Sequence, residues 1–103
     1  MPASTYDSSA RELLAAFGQN VRAHRVRLGL SQVALADRSA LMQTYISDVE
    51  RGRRNVSLVV LSRLAAALEV DATELLHGIE PARFVTKKAN ARVAKRRTKD
   101  GGD

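Results

Sequence analysis

The 103-residue sequence has no cysteine and no tryptophan. Without thiols it can form neither a disulfide nor a thiolate zinc site, and such a composition suits a reducing cytoplasm. Aromatic residues are limited to Tyr6, Phe17, Tyr45 and Phe84. The core must therefore be assembled from Leu, Val, Ile and Ala, which favours packed helices over a sandwich of sheets. No apolar stretch approaches the 18 residues of a membrane span, and the opening "MPASTYDSS" has neither a basic start nor an apolar run. Neither membrane insertion nor an export leader is expected. A chain of this length buries one modest core and leaves little room for a deep catalytic cleft. His24 and His77 lie far apart, and no Ser, His and Asp stand in a catalytic pattern. No metal, no cofactor and no enzymatic activity is expected.

Charge is abundant but unevenly placed. The net charge is +6, yet residues 1–80 hold nine Arg against nine Asp or Glu. The last segment, "PARFVTKKANARVAKRRTKDGGD", holds eight Lys or Arg against two acids, so it carries the whole excess. Blocks of like charge are either solvated, disordered chain or arms that follow nucleic-acid phosphates. The division expected is a flexible amino terminus over 1–8, one domain over 9–80 and a basic, disordered tail over 81–103.

Five helices are legible. Ser9 and Glu12 have the spacing of a capping box, after which Leu14, Phe17, Val21 and Leu28 recur on an inward face and Gly29 ends the helix. Ser31 caps a second helix reaching about Arg38, broken at "RSAL". The third begins at Gln43 and closes at Gly52; Ser57 caps a fourth whose Leu61, Leu64, Ala65 and Leu68 face inward. Asp71 and Glu74 repeat the capping-box spacing for a short fifth, ended by Gly78 and Pro81. No strand pattern and no internal repeat is present, so the fold class is all-α.

The second and third helices have a particular internal grammar. Ala36 is small enough to let them approach, and Leu35, Leu41, Ile46 and Val49 are placed to lock their angle. On a helical projection the third helix turns Ile46, Val49 and Tyr45 one way and Thr44, Ser47, Asp48 and Arg51 the other. That outer face is short, polar and rich in hydrogen-bonding groups, unlike an ordinary Lys- and Glu-covered solvent face. The pair resembles a helix-turn-helix, whose second helix enters the DNA major groove.

The resemblance extends over roughly Phe17 to Leu76. "VRAHRVRLGLSQVALADRS" and "YISDVERGRRNVSLVVLSRLAAALEV" are similar to the Cro and phage-repressor type of regulator, the xenobiotic-response-element family, and "TYISDVERGRRNVS" looks like the restriction-modification controller kind within it. The resemblance implies a compact, five-helix, lambda-repressor-like domain that binds an operator in double-stranded DNA as a homodimer, in the cytoplasm at the nucleoid. It implies that Gln43, Thr44, Ser47 and Asp48 face base edges and that Gln32, Arg51, Arg53, Arg54 and Asn55 hold the DNA backbone. It further implies an internal ion pair between Arg25 and Glu50. Leu75, Leu76 and Ile79 exceed what a lone domain needs and are assigned to the dimer contact.

Departures from the family pattern are local. Ala40 stands where Gly is common in the turn, and Met42 where Ser or Thr caps the recognition helix. Val33 and Ala34 replace frequent acids; Val59, Val60 and Ala66 occupy positions of the fourth helix that are often polar and form a candidate partner surface. The alternative reading is an antitoxin or other interaction module whose tail captures a partner protein. After Pro81 only Phe84, Val85 and Val93 are sizeable apolar anchors, which favours nucleic acid as the tail's ligand.

Overall fold

The computed structural model describes residues 8–79. Its five helices are α1 (Ser8–Arg27), α2 (Gln32–Ser39), α3 (Gln43–Glu50), α4 (Leu58–Leu68) and α5 (Ala72–Leu75), with no strand among the described residues. The basic segment 81–103 lies outside them, as do residues 1–7.

Helix starts follow local chemistry where a hydroxyl can reach an amide. Ser31 and Ser57 have extended backbones and accept hydrogen bonds from the amides of Ala34 and Val60, at 3.0 and 3.1 Å. Two expected caps differ. Ser9 is already helical, because α1 includes Ser8, and a helical residue cannot hold the extended cap conformation. Asp71 does occupy the cap position of α5, yet its side chain makes no cap bond; its backbone carbonyl accepts from the Glu74 amide instead, at 2.9 Å. The capping box expected at α5 is therefore not formed.

Four helix ends close by one device. After α1, α2, α3 and α4 the chain reverses through Gly29, Ala40, Gly52 and Glu69, at φ of 71, 59, 75 and 61°. The next amide then returns to a carbonyl five residues back: Leu30 to Arg25, Leu41 to Ala36, Arg53 to Asp48 and Val70 to Ala65, at 2.8 to 3.1 Å. Gly52 is also held by space, since a Cβ there would stand 2.9 Å from the Ala15 backbone. Gly18 is constrained by space alone: its α1 backbone lies so close to α3 that a Cβ would collide with the Val49 carbonyl and stand 2.8 Å from that of Glu50.

These contacts wrap the helices around one aliphatic core. Val21, Leu35, Ile46, Val49, Leu64, Leu68 and Leu75 are its fully buried members, joined by Phe17, Ala36, Leu61, Ala65 and Ala67. Leu28, expected to face inward, is 37% exposed because α1 has already ended and the chain is turning at Gly29. The assignment of Leu75 to a dimer contact is corrected: Leu75 is 0% exposed, since a one-turn helix must spend its apolar residue on closing the core. Leu76 is exposed, and Ile79 packs partly against the core. Val60 likewise packs on the core, while Val59 and Ala66 face solvent.

Three side chains staple distant segments. Arg25 is described below with the site it supports. Asn20 donates from α1 to the carbonyls of Leu75 and His77, both at 2.9 Å, and so holds α5. Arg38 of α2 donates to the Ala67 carbonyl at 2.9 Å and pairs with Glu69 at 3.4 Å, fixing α2 on α4. No described helix is long and apolar enough to cross a membrane.

Candidate nucleic-acid interface

The face of α3 opposite the core is held out by a clamp beneath it. Arg25, buried apart from 9% of its surface, donates from Nε to Glu50 Oε2 at 2.6 Å and from Nη2 to Oε1 at 3.0 Å, and from Nη1 to the Leu30 carbonyl at 2.7 Å. One guanidinium thus fastens α1, the turn before α2 and the end of α3. The hydrogen bond to Glu50 raises the Arg25 pKa above its ordinary value, outweighing burial, which lowers it, with the Glu50 charge adding to the rise. The Arg25 guanidinium remains charged throughout the neutral range.

From Glu50 the hydrogen bonds continue toward solvent. Gln32, the first residue of α2, donates from Nε2 to Glu50 Oε1 at 3.1 Å and accepts at Oε1 from Gln43 Nε2 at 2.9 Å. Gln43 is the first residue of α3. The buried ion pair therefore orients Gln32, and Gln32 orients Gln43, so the two amides expected at phosphate and base are joined in one chain of bonds. Gln32 keeps a second amide hydrogen, and Gln43 keeps its own carbonyl and second hydrogen. Both can still meet a ligand.

The remaining expected residues surround this pair. Thr44 is exposed and Ser47 half-buried on the outward side of α3. Arg51, Arg53 and Asn55 follow in an exposed loop, and among the described residues their side chains have no partner. Asp48 and Arg54 differ from the rest because they meet each other, Asp48 Oδ2 lying 3.5 Å from Arg54 Nε. The Arg54 guanidinium also stacks over Tyr45, 5.0 Å from the ring centroid. Helical periodicity places Tyr45 only on the inward side; an aromatic ring beside a loop rich in arginine is the sequence signal for its contact with Arg54. Gly18, Asn20 and Arg38 carried no local signal, since each acts on a segment far along the chain.

The arrangement presents amide and hydroxyl groups on a rigid helix, flanked by guanidinium groups. Such a surface can donate to and accept from base edges while its cations meet phosphates. The same domain has an apolar groove of about 260 Å³ framed by α1, α4 and the chain after α5; Leu13, Phe17, Val56, Leu58, Leu61, Leu76 and Ile79 line it, together with Asn55 of the loop. Leu58 at its rim is 78% exposed.

Comparison with known proteins gives matches over this same region. A helix-turn-helix domain model matches residues 16–77. The control protein C.BamHI of Bacillus amyloliquefaciens is 48% identical over 61 residues, covering 58% of this chain and 75% of that protein. The structure of the restriction-modification controller protein C.AhdI from Aeromonas hydrophila superposes with a TM-score of 0.59 at 50% identity, covering 60% of this chain and 94% of that one. The restriction-modification controller C.Esp1396I, solved as a tetramer in complex with its natural 35-base-pair operator, gives a TM-score of 0.59 at 31% identity over 65% of this chain and 88% of that one.

Proposed function

The chain belongs to the helix-turn-helix domain family, and from that premise we propose that it is a sequence-specific, dimeric DNA-binding regulator of transcription. The observation that carries this reading is the chain of hydrogen bonds from Arg25 through Glu50 and Gln32 to Gln43. It spends a buried ion pair on orienting two surface amides, and a helix that merely faced solvent would have no use for such support. In this reading Gln43, Thr44 and Ser47 meet base edges, while Gln32, Arg51, Arg53 and Asn55 hold the sugar-phosphate backbone. The relatives named above are control proteins, and one was solved on its operator. A chain so similar to them works on cytoplasmic DNA, by binding and not by catalysis.

The apolar groove supports the pairing of two copies. Leu58 and Leu76 on its rim are exposed at 78 and 44%, and Ile79 lines it. A second copy docked there about a two-fold axis would cover both rims and set two recognition helices for half-sites about one helical turn, roughly 34 Å, apart. The deciding experiment is a nuclease footprint on the DNA flanking the protein's own gene. Paired protected half-sites on one face of the duplex are expected. Uniform protection, or equal affinity for random DNA, would sink the reading.

A further inference from the structure

Arg54 is set differently from the arginines beside it. Arg51 and Arg53 extend without side-chain partners among the described residues, whereas Arg54 is held on two sides by α3. One face of its guanidinium lies over Tyr45 at 5.0 Å, and its Nε lies 3.5 Å from Asp48 Oδ2. Tyr45 and Asp48 are three residues apart on α3, neighbours on adjoining turns. With a face and the Nε edge engaged, the Nη1 and Nη2 edge is what Arg54 offers outward. That edge suits a ligand with two adjacent acceptors.

Duplex DNA has two such ligands, the phosphate oxygens and the O6 and N7 atoms of guanine in the major groove. Charge decides between them. A carboxylate 3.5 Å from the guanidinium cancels much of the attraction that draws an arginine to a phosphate, and it would itself be carried toward anionic oxygens. The guanine edge is neutral, so donor geometry matters there and the neighbouring carboxylate carries little penalty. Both anchors of Arg54 also belong to the helix that the DNA-binding reading places in the groove.

We propose that Arg54 reads a guanine in the major groove and that Asp48 is a positioning residue acting through Arg54, touching no base itself. The proposal rests on the DNA-binding reading above. It reassigns two residues: Arg54 moves from backbone holding to base reading, and Asp48 from base reading to support. Asp48 also acts against indiscriminate binding, since an Arg54 released from it is free to pair with any phosphate. Both side chains are substantially exposed, at 49 and 32% for Arg54 and Asp48, so substitutions at either leave the fold intact.

The test is selection of duplexes from a randomised pool by the full chain and by Arg54→Lys, Asp48→Ala and Asp48→Asn variants, followed by titration of the selected duplex and of random duplex. The parent is expected to enrich one guanine per half-site. Arg54→Lys, a single point donor in place of a fork, should reduce the preference at that position by between about fivefold and about 150-fold and leave other positions alone. Asp48→Ala should relax the same position and tighten binding to random duplex. Asp48→Asn keeps a polar oxygen beside Nε without the charge, so it should retain more of the guanine preference than Asp48→Ala does. The proposal is overturned if Asp48→Ala relaxes a different position from Arg54→Lys. It is overturned equally if Arg54→Lys weakens every sequence alike. A parent that enriches no sequence removes the DNA-binding reading together with this one, whereas enrichment without a guanine dependent on Arg54 removes this one alone.

Discussion

Glu50 receives three hydrogen bonds, two from Arg25 and one from Gln32, with only 4% of its side chain exposed. Removing its charge leaves a buried guanidinium without a counter-ion, at a cost of about 3 to 5 kcal/mol. That is a large part of the roughly 5 to 15 kcal/mol that holds an ordinary domain together. Glu50→Gln should therefore lower the melting temperature by more than about 10 °C, and a fall of only a degree or two would place the pair outside the stabilising core. The raised pKa of Arg25 fixes the pH behaviour. A cation with a raised folded pKa gives its stability in full below the ordinary Arg range and loses it only as pH climbs through the higher folded value, so this group leaves melting flat from neutral to moderately alkaline pH. Gln43 stands at the other end of the chain of bonds, exposed. Gln43→Ala should leave melting nearly unchanged and reduce discrimination between operator and random DNA by about 1 to 3 kcal/mol, because base contacts discriminate while phosphates supply bulk affinity. Equal loss on both duplexes, titrated at one salt concentration, would show that Gln43 reads no base. The polar face of α3 was legible in sequence because helical periodicity separates it from Ile46 and Val49. Its internal bonding was not, since nothing in the spacing of Gln32, Gln43, Asp48 and Arg54 says that they satisfy one another before DNA arrives.

At the scale of elements, what was legible was local. Ser31 and Ser57 cap helices by reaching amides three residues on, and the ends at Gly29 and Gly52 follow from residues that adopt positive φ freely. What depended on the rest of the chain was not legible: Asn20 binds carbonyls 55 and 57 residues away and Arg38 one 29 away. Leu75 was misplaced for the same reason, because whether a leucine in a one-turn helix faces in or out is decided by α1 and α4. The turn between α2 and α3 retains two local faults. Ala40 sits at φ 59°, and Met42, 72% exposed, stands at the N-cap of α3 with no side-chain cap bond. Ala40→Gly relieves left-handed strain against a smaller entropy cost, for a net gain of about 1 kcal/mol. Met42→Ser supplies the missing acceptor for another gain of about 1 kcal/mol and gives up little burial. Urea unfolding should show both as higher midpoints at an unchanged slope. A lower midpoint for Ala40→Gly would mean that the Ala40 methyl contributes packing beyond what strain removes.

For the whole molecule, two surfaces stand out, a polar face on α3 and an apolar groove lined from α1, α4 and the chain after α5. Leu58 on the groove is too exposed to matter to a monomer's core. Leu58→Glu should thus yield a folded monomer in sedimentation, where the parent is expected to sediment as a dimer; a dimeric variant would move the contact elsewhere. Charge is divided as sharply as polarity, for residues 1–80 are balanced and the eight Lys or Arg of 81–103 hold the entire excess. We infer that this segment serves as a sequence-blind arm on the DNA backbone, because neutralising phosphates releases counterions whatever the bases are. Each contact made contributes about −0.9 to the slope of log K against log salt. An arm pays ordering entropy as it binds, which limits how many of its eight charges engage at once. A chain ending at Glu80 should keep its melting temperature, its dimer and its operator preference, while binding every duplex more weakly and with a slope shallower by several units per dimer. A segment that instead captured a protein partner would behave differently on truncation: the salt slope would stay as it was and the partner would be lost. An unaltered slope across a salt titration therefore removes the arm and leaves the helix-turn-helix reading standing, because that reading draws on no residue of 81–103.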